Sequence, residues 1–358
     1  MRRIGILTSG GDCQGLNAAL RGAAKALYWE YGNEVEIYGF IDGYKGLISG
    51  EYKKMEPEDF SGILTRGGTI LGTSRQPFKL MRVFDENTVD KVKKMKENYK
   101  KLDLSALVIL GGNGTQKTAN LLSLEGLNVI GLPKTIDNDL WGTDVTFGFQ
   151  SAVDIATSVV DAIHSTATSH GRVFVIELMG HKAGWLTLYA GIAGGADIIL
   201  IPEIPYDIES VIKAVRERIN SGKNFAILVV AEGALSKETA LLPKKERKLL
   251  MTRPDYMAAS SAVAKAIEEF TGRETRVTVP GHLQRGGSPS AADRLLCTRL
   301  GAYAAQLIIE ENFGNLVAVK NNVMTHLPLK EIAGKLKLVP ADDQMIENAR
   351  QIGISFGD

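Results

Sequence analysis

The stretch PKTIDNDLWGTD, residues 133–144, decides how this chain folds and what chemistry it carries. It follows a short apolar run over 128–132 that reads as a buried strand. Pro133 is expected to end that strand, because a proline cannot donate to a sheet ladder. Directly after it come Lys134, Thr135, Asp137 and Asp139. Carboxylates crowded beyond the carboxyl end of a parallel strand suit phosphoryl transfer: one takes a proton from the attacking hydroxyl, and cations neutralise the phosphoryl oxygens. A TIDND run can also be an Asx-rich turn that caps its own backbone. Two glycine-rich turns upstream, each also at a strand end, favour the chemical reading.

The first is SGGDCQGLN, residues 9–17, between an apolar strand over 3–8 and a helix over 15–31. Strand, glycine turn and helix together offer backbone N–H groups and a helix amino terminus to a phosphate. The spacing is neither G-x-G-x-x-G nor G-x-x-x-x-G-K-[ST], which disfavours a dinucleotide fold and a P-loop. The second is GGNGT, residues 111–115, after the apolar strand SALVIL over 105–110. It opens a helix through Leu122, and its Asn113 can reach a metal or a phosphate. Between the two lies ILTRGGTILGTSR, residues 63–75, whose Arg75 can hold a phosphate bidentately.

Strands are expected also over 35–40, 172–178, 198–201, 226–231, 277–279 and 316–320, and helices over 149–164, 208–220, 256–271 and 291–311. Residues 166–170, just after the expected end of the helix over 149–164, are polar. Alternating strand and helix means a parallel, doubly wound α/β sheet, with ligands beyond the carboxyl ends of its strands. Residues 89–102, with six lysines over 91–101, read as an exposed helix face.

Composition narrows the class. A chain of 358 residues suggests two domains. Lys plus Arg number 42 and Asp plus Glu 41, which argues against a nucleic-acid or membrane surface. No apolar run approaches the ~20 residues of a membrane span, and no secretory signal is visible before the first strand. Cys13 and Cys297 have neither metal-ligand spacing nor a disulfide framework. Glycine, at 38 residues, exceeds the usual ~7 % and collects in turns. The expectation is a cytoplasmic α/β enzyme.

In order, TSGGDCQGLN, GGTILGTSR, GGNGT, PKTIDND, MGH and GHLQRGG resemble the 6-phosphofructokinase family, over nearly the whole chain. PKTIDND and GGNGT look most like the branch whose members use ATP or pyrophosphate. The resemblance implies two doubly wound, mostly parallel α/β domains with the active site in the cleft between them. The donor domain would comprise 1–148 plus 284–334, and the fructose 6-phosphate domain 149–283 plus 335–358. It implies Asp137 as the base for the fructose 1-hydroxyl, Asp139 as a second acid and Thr135 at the sugar's reacting end. Gly11, Arg75, Gln76, Gly112, Asn113, Gly114 and Thr115 match the donor loops, with Arg75 also steadying the transferred group. Ile136, Arg172, Met179, Gly180, His181, Glu232, Arg276, His282, Leu283, Gln284 and Arg285 match the fructose 6-phosphate site. Arg172 and Arg276 resemble residues that reach a neighbouring subunit, implying a homo-oligomer, dimer or tetramer.

Asn113 stands where related GGDG loops carry a metal-binding aspartate. Its amide oxygen still suits Mg²⁺, with the donor's phosphates and water completing the shell. Pyrophosphate users carry aspartate at the next position, where Gly114 leaves room for an adenosyl phosphate. They also carry lysine at the position of Lys134. Steric exclusion is the stronger filter, so ATP–Mg²⁺ is expected, with a pyrophosphate-dependent enzyme as the alternative. An inactive regulatory homologue would be expected to lose Asp137 or Asp139. An NAD-dependent oxidoreductase would need a dinucleotide fingerprint, which does not follow residues 3–8.

Overall fold

In the computed structural model, which describes residues 1–83 and 90–358, the chain forms two compact units. One comprises Met1–Ser151 and Arg285–Lys337, the other Ala152–Gln284 and Leu338–Asp358. Gln284, expected in the donor domain, belongs to the second unit. Residues 149–151 and 335–337, expected in the second, belong to the first.

The first unit begins with β1 (Arg2–Thr8), β2 (Val35–Phe40), β3 (Tyr52–Met55), β4 (Ala106–Gly111) and β5 (Val129–Pro133). In the second lie β6 (Val173–Leu178), β7 (Ile198–Leu200), β8 (Ala226–Ala231) and β9 (Thr275–Thr278). The chain returns to the first with β10 (Asn315–Lys320) and β11 (Val323–Pro328). The first sheet has the order β11-β10-β5-β4-β1-β2-β3 and the second β7-β8-β6-β9. Every pairing is parallel except β2 with β3 and β10 with β11, at the two edges of the first sheet. Those edge strands were not expected.

Every residue of β4 and of β8 is buried, as central parallel strands covered on both faces require. On one face of the first sheet, Leu7, Leu107 and Ile109 pack with Val92 and Met95 of the helix Lys91–Lys101 and with Ala119 and Leu122 of Asn113–Leu124. Val89, where that charged helix was expected to start, lies outside the described residues. Two further helices of this unit, Leu16–Tyr31 and Ala291–Ile309, touch each other. A Cβ on Gly301 would lie 2.5 Å from the Ala23 nitrogen, so only glycine allows so close an approach.

One sequence expectation shifts: the helix Phe149–His170 runs beyond the expected end at 164 and through polar residues. Pro133 ends β5 as expected, paired opposite Gly111. GHLQR folds as a 3₁₀ turn, Gly281–Arg285. Where the chain leaves the first unit, buried Asp293 accepts hydrogen bonds from Gly148 N (3.0 Å), Ser151 N (2.8 Å) and Ser151 Oγ (2.6 Å). This carboxylate sits at the amino terminus of Phe149–His170, where negative charge is favoured. No helix among the described residues is long and apolar enough to cross a membrane.

Candidate active site

Beyond the carboxyl ends of β1, β4 and β5 the first unit holds a cleft of about 320 Å³. Three strand-end turns build it. After β1, Gly10 takes φ 91° and its N–H donates to Ser74 O (3.1 Å), tying this turn to the segment that carries Arg75 and Gln76. Two cations clasp the same turn. Lys134 Nζ donates to Gly11 O, and Arg285 Nη1 donates to Asp12 O (3.0 Å). A Cβ on Gly11 would stand 3.0 Å from Arg285 Nη1, a tight fit that favours glycine there. Burial pushes the Lys134 ammonium below the usual lysine range. Burial also pushes the Cys13 thiol in this turn up to about 12, so it stays protonated at neutral pH.

After β4, Gly112 precedes the helix Asn113–Leu124, whose first N–H groups have no partner within the helix. Gln116 Nε2 donates to Gly111 O (2.9 Å) and Leu132 O (3.0 Å), locking the ends of β4 and β5 together. Asn113 Nδ2 donates to Lys335 O (2.5 Å). A carbonyl accepts only from the NH₂ side of the amide, so Asn113 Oδ1 is the atom left for a ligand. A Cβ on Gly114 would meet nothing within 4 Å.

After β5 the acidic turn is pinned at several points. Thr146 Oγ1 donates to Thr135 O (2.7 Å), and Asp137 N donates to Thr135 Oγ1 (3.1 Å). Asn138 takes φ 51°, a left-handed conformation that asparagine tolerates better than most residues. Its Oδ1 accepts from Thr146 N (3.1 Å). Asp139 is 7 % exposed, and burial, followed by the neighbouring Asp137 charge, pushes its carboxyl up to about 6. A carboxyl of raised proton affinity beside a second carboxylate and cations suits acid–base work.

The cleft thus gathers Gly11, Arg75, Gln76, Gly112, Asn113, Gly114 and Thr115 with Lys134, Thr135, Asp137, Asp139 and Arg285. Arg285, read as a sugar-phosphate residue, sits against the first glycine turn. Ile136 is fully buried and does not line the cleft. Sequence reasoning did not single out Asn138, Thr146 or Lys337. The asparagine between two aspartates in a turn was the one available signal.

The other expected residues lie in the second unit. Met179 N donates to Gln284 Oε1 (3.2 Å), and His181 N donates to Glu232 Oε1 (2.8 Å). His181 takes φ 52° and Gly180 φ 145°, so MGH is a sharp turn at the end of β6. Arg172 Nε donates to Glu274 Oε2 (2.5 Å), and Arg276 pairs with the same carboxylate. His282 and Leu283 are exposed.

Among the described residues no three His, Cys, Asp or Glu side chains converge as a metal cage. Oxygen donors do line the cleft: Asn113, Asp137 and Asp139. That set suits a hard cation that takes most of its ligands from phosphates and water.

Fold and cleft together define an α/β phosphoryl-transfer enzyme. The family model described as Phosphofructokinase matches residues 3–308, and the chain belongs to the phosphofructokinase family. It is 58 % identical to an ATP-dependent 6-phosphofructokinase of Spirochaeta thermophila, over 100 % of this chain and 98 % of that one. It is 48 % identical to ATP-dependent 6-phosphofructokinase 3 of Bacteroides thetaiotaomicron, over 99 % of this chain and 100 % of that one. Among solved structures it resembles phosphofructokinase from Saccharomyces cerevisiae, with a TM-score of 0.79 and 34 % identity. That match covers 92 % of this chain and 45 % of the yeast polypeptide.

Proposed function

We propose that this chain is an ATP-dependent 6-phosphofructokinase. It moves the γ-phosphoryl group of ATP to the 1-hydroxyl of D-fructose 6-phosphate, yielding fructose 1,6-bisphosphate and ADP in the cytoplasm. The observation that carries the reading is the single cleft uniting Asp137 and Asp139 with the Gly112–Thr115 donor loop and the cations Arg75, Lys134 and Arg285. Asp137 accepts the proton of the attacking hydroxyl as its oxygen bonds to phosphorus and the bond to ADP breaks. Asp139 is the neighbouring acid, and Arg75 steadies charge on the phosphoryl oxygens. Mg²⁺, held by the donor phosphates with Asn113 Oδ1, and with the acids nearby, would offset phosphate charge. Met179, Gly180, His181, Glu232, Arg276, His282, Leu283, Gln284 and Arg285 recognise the sugar phosphate. Arg172 and Arg276 serve a neighbouring subunit's site in a homo-oligomer.

One feature favours ATP over pyrophosphate: the space at Gly114 is open to an α-phosphate. The test is a coupled assay with fructose 6-phosphate and either ATP or pyrophosphate at matched Mg²⁺. ATP should give the larger kcat/KM, and Asp137→Asn should lose roughly 10²–10⁴-fold in kcat with the sugar phosphate still bound. Preference for pyrophosphate, or a loss below about threefold, would overturn the donor or the base assignment respectively.

A further inference from the structure

The acidic turn is held by a segment far away in sequence. Leu336 forms a β-bridge with Leu140, and Lys337 N donates to Asp139 O (2.8 Å). The Lys337 ammonium then donates to Asn138 Oδ1 (2.9 Å), Thr143 O (3.0 Å) and Asp144 O (2.8 Å). These acceptors match the three N–H donors of an ammonium. Two of them close the loop that follows TIDND. The third is the side chain of Asn138, the left-handed residue between Asp137 and Asp139.

We propose that Lys337 is a positioning residue for the reaction: through Asn138 and the loop carbonyls it sets the direction in which the Asp137 carboxylate faces the attacking hydroxyl. The assignment rests on the phosphoryl-transfer reading above. A tie between backbone carbonyls needs no charge, and burying a cation is costly. Burial pushes the Lys337 ammonium down to about 8, against the attraction of Asp144 and Asp139 and with the repulsion of Lys320. What the cation adds over a neutral donor is a charge-assisted grip on the asparagine and a positive charge beside Asp139. The same strap reaches the donor loop, since Lys335 O accepts from Asn113 Nδ2. One short segment therefore registers the acidic turn against the GGNGT loop. Catalytic groups must be held within about 0.5 Å of productive geometry, and an error of about 1 Å can cost roughly 10²-fold in rate.

Lys337→Met keeps an unbranched side chain and removes the three donors. Its kcat should fall roughly 10- to 100-fold, while KM for ATP and for fructose 6-phosphate each stay within about threefold of the wild type. Lys337→Cys, aminoethylated with 2-bromoethylamine, regains an ammonium at nearly the same reach and should regain most of kcat. Cys13 and Cys297 are fully buried and should escape alkylation in the folded protein. Asn138→Gly keeps the left-handed backbone but deletes the acceptor, and should lose kcat similarly. Combined with Lys337→Met it should lose less than the product of the two single losses, because both remove the Lys337–Asn138 contact. A folded Lys337→Met with near-wild-type kcat overturns the proposal, as does a loss confined to KM. If Lys337→Met does not fold, Asn138→Gly decides, and near-wild-type kcat there is the refuting result. Asp137→Asn run alongside separates the cases: if it stays active, the base assignment fails; if it is dead while the Lys337 and Asn138 variants are active, only the positioning role fails.

Discussion

Asp139→Asn should make the unliganded protein more stable at neutral pH while lowering its activity. The wild-type carboxyl is 7 % exposed and is pushed up to about 6 by burial and by Asp137. In an unfolded chain it would titrate near ~3.9. Its folded pKa is therefore raised, so between these two values the folded chain binds more protons than the unfolded one. Stability falls as pH rises through that window, and above about 6 the full penalty applies. A difference of about two pKa units corresponds to about 3 kcal/mol. Asparagine carries no charge and escapes this term. Unfolding of both chains by urea, without ligands, at several pH values from 4 to 8 should show the variant gaining on the wild type by about 3 kcal/mol across the range. An unmatched amide in the buried site can lower both ends by about 1–3 kcal/mol. The pH-dependent part is therefore the diagnostic, not the offset. Parallel stability curves would refute the reasoning, since Asp139 would then titrate like an exposed carboxylate.

Gly114→Asp should shift the ratio of kcat/KM values from ATP toward pyrophosphate, because the new side chain has room and brings negative charge to where an α-phosphate would approach. Steady-state kinetics with both donors would check this, and an unchanged ratio would remove Gly114 from donor selection. Arg172→Ala and Arg276→Ala should raise KM for the sugar phosphate far more than KM for ATP, and mixing either with Asp137→Asn chains should restore some activity. Equal effects on both substrates, or no recovery on mixing, would count against a site shared between subunits.

How much of the fold could be read from the sequence depended on where each element sits. β4 and β8 were legible because a central parallel strand is buried on both faces and leaves a continuous apolar run. β3 and β11 were not. Three of the four residues of β3 are exposed, and β11 is at most half-buried and ends in a proline. Such edge strands have no clean alternation to read. The polar residues 166–170 mislead for another reason. Thr168 Oγ1 and Ser169 Oγ donate to His164 O and Ser165 O, each 2.9 Å away, so hydroxyls that favour turns in isolation fold back on the helix they prolong.

The candidate site divides along the same physical line. Glycine turns and the acidic run are contiguous and stand at strand ends, so their chemistry was readable without coordinates. What holds them is not contiguous: Lys337 reaches Asn138 across a separation of 199 residues. An isolated lysine carries no pattern that announces a half-buried, triply engaged ammonium. Lys134 shows the converse. In sequence, a lysine beside two aspartates reads as a free anion ligand, whereas folded it is 4 % exposed and grips Gly11 O. One of its three N–H donors is spent on that carbonyl, so fewer are left for a phosphate than the sequence alone suggests. Beside Gly114, by contrast, the space is open, and room for an α-phosphate there needs no rearrangement of the glycine turns.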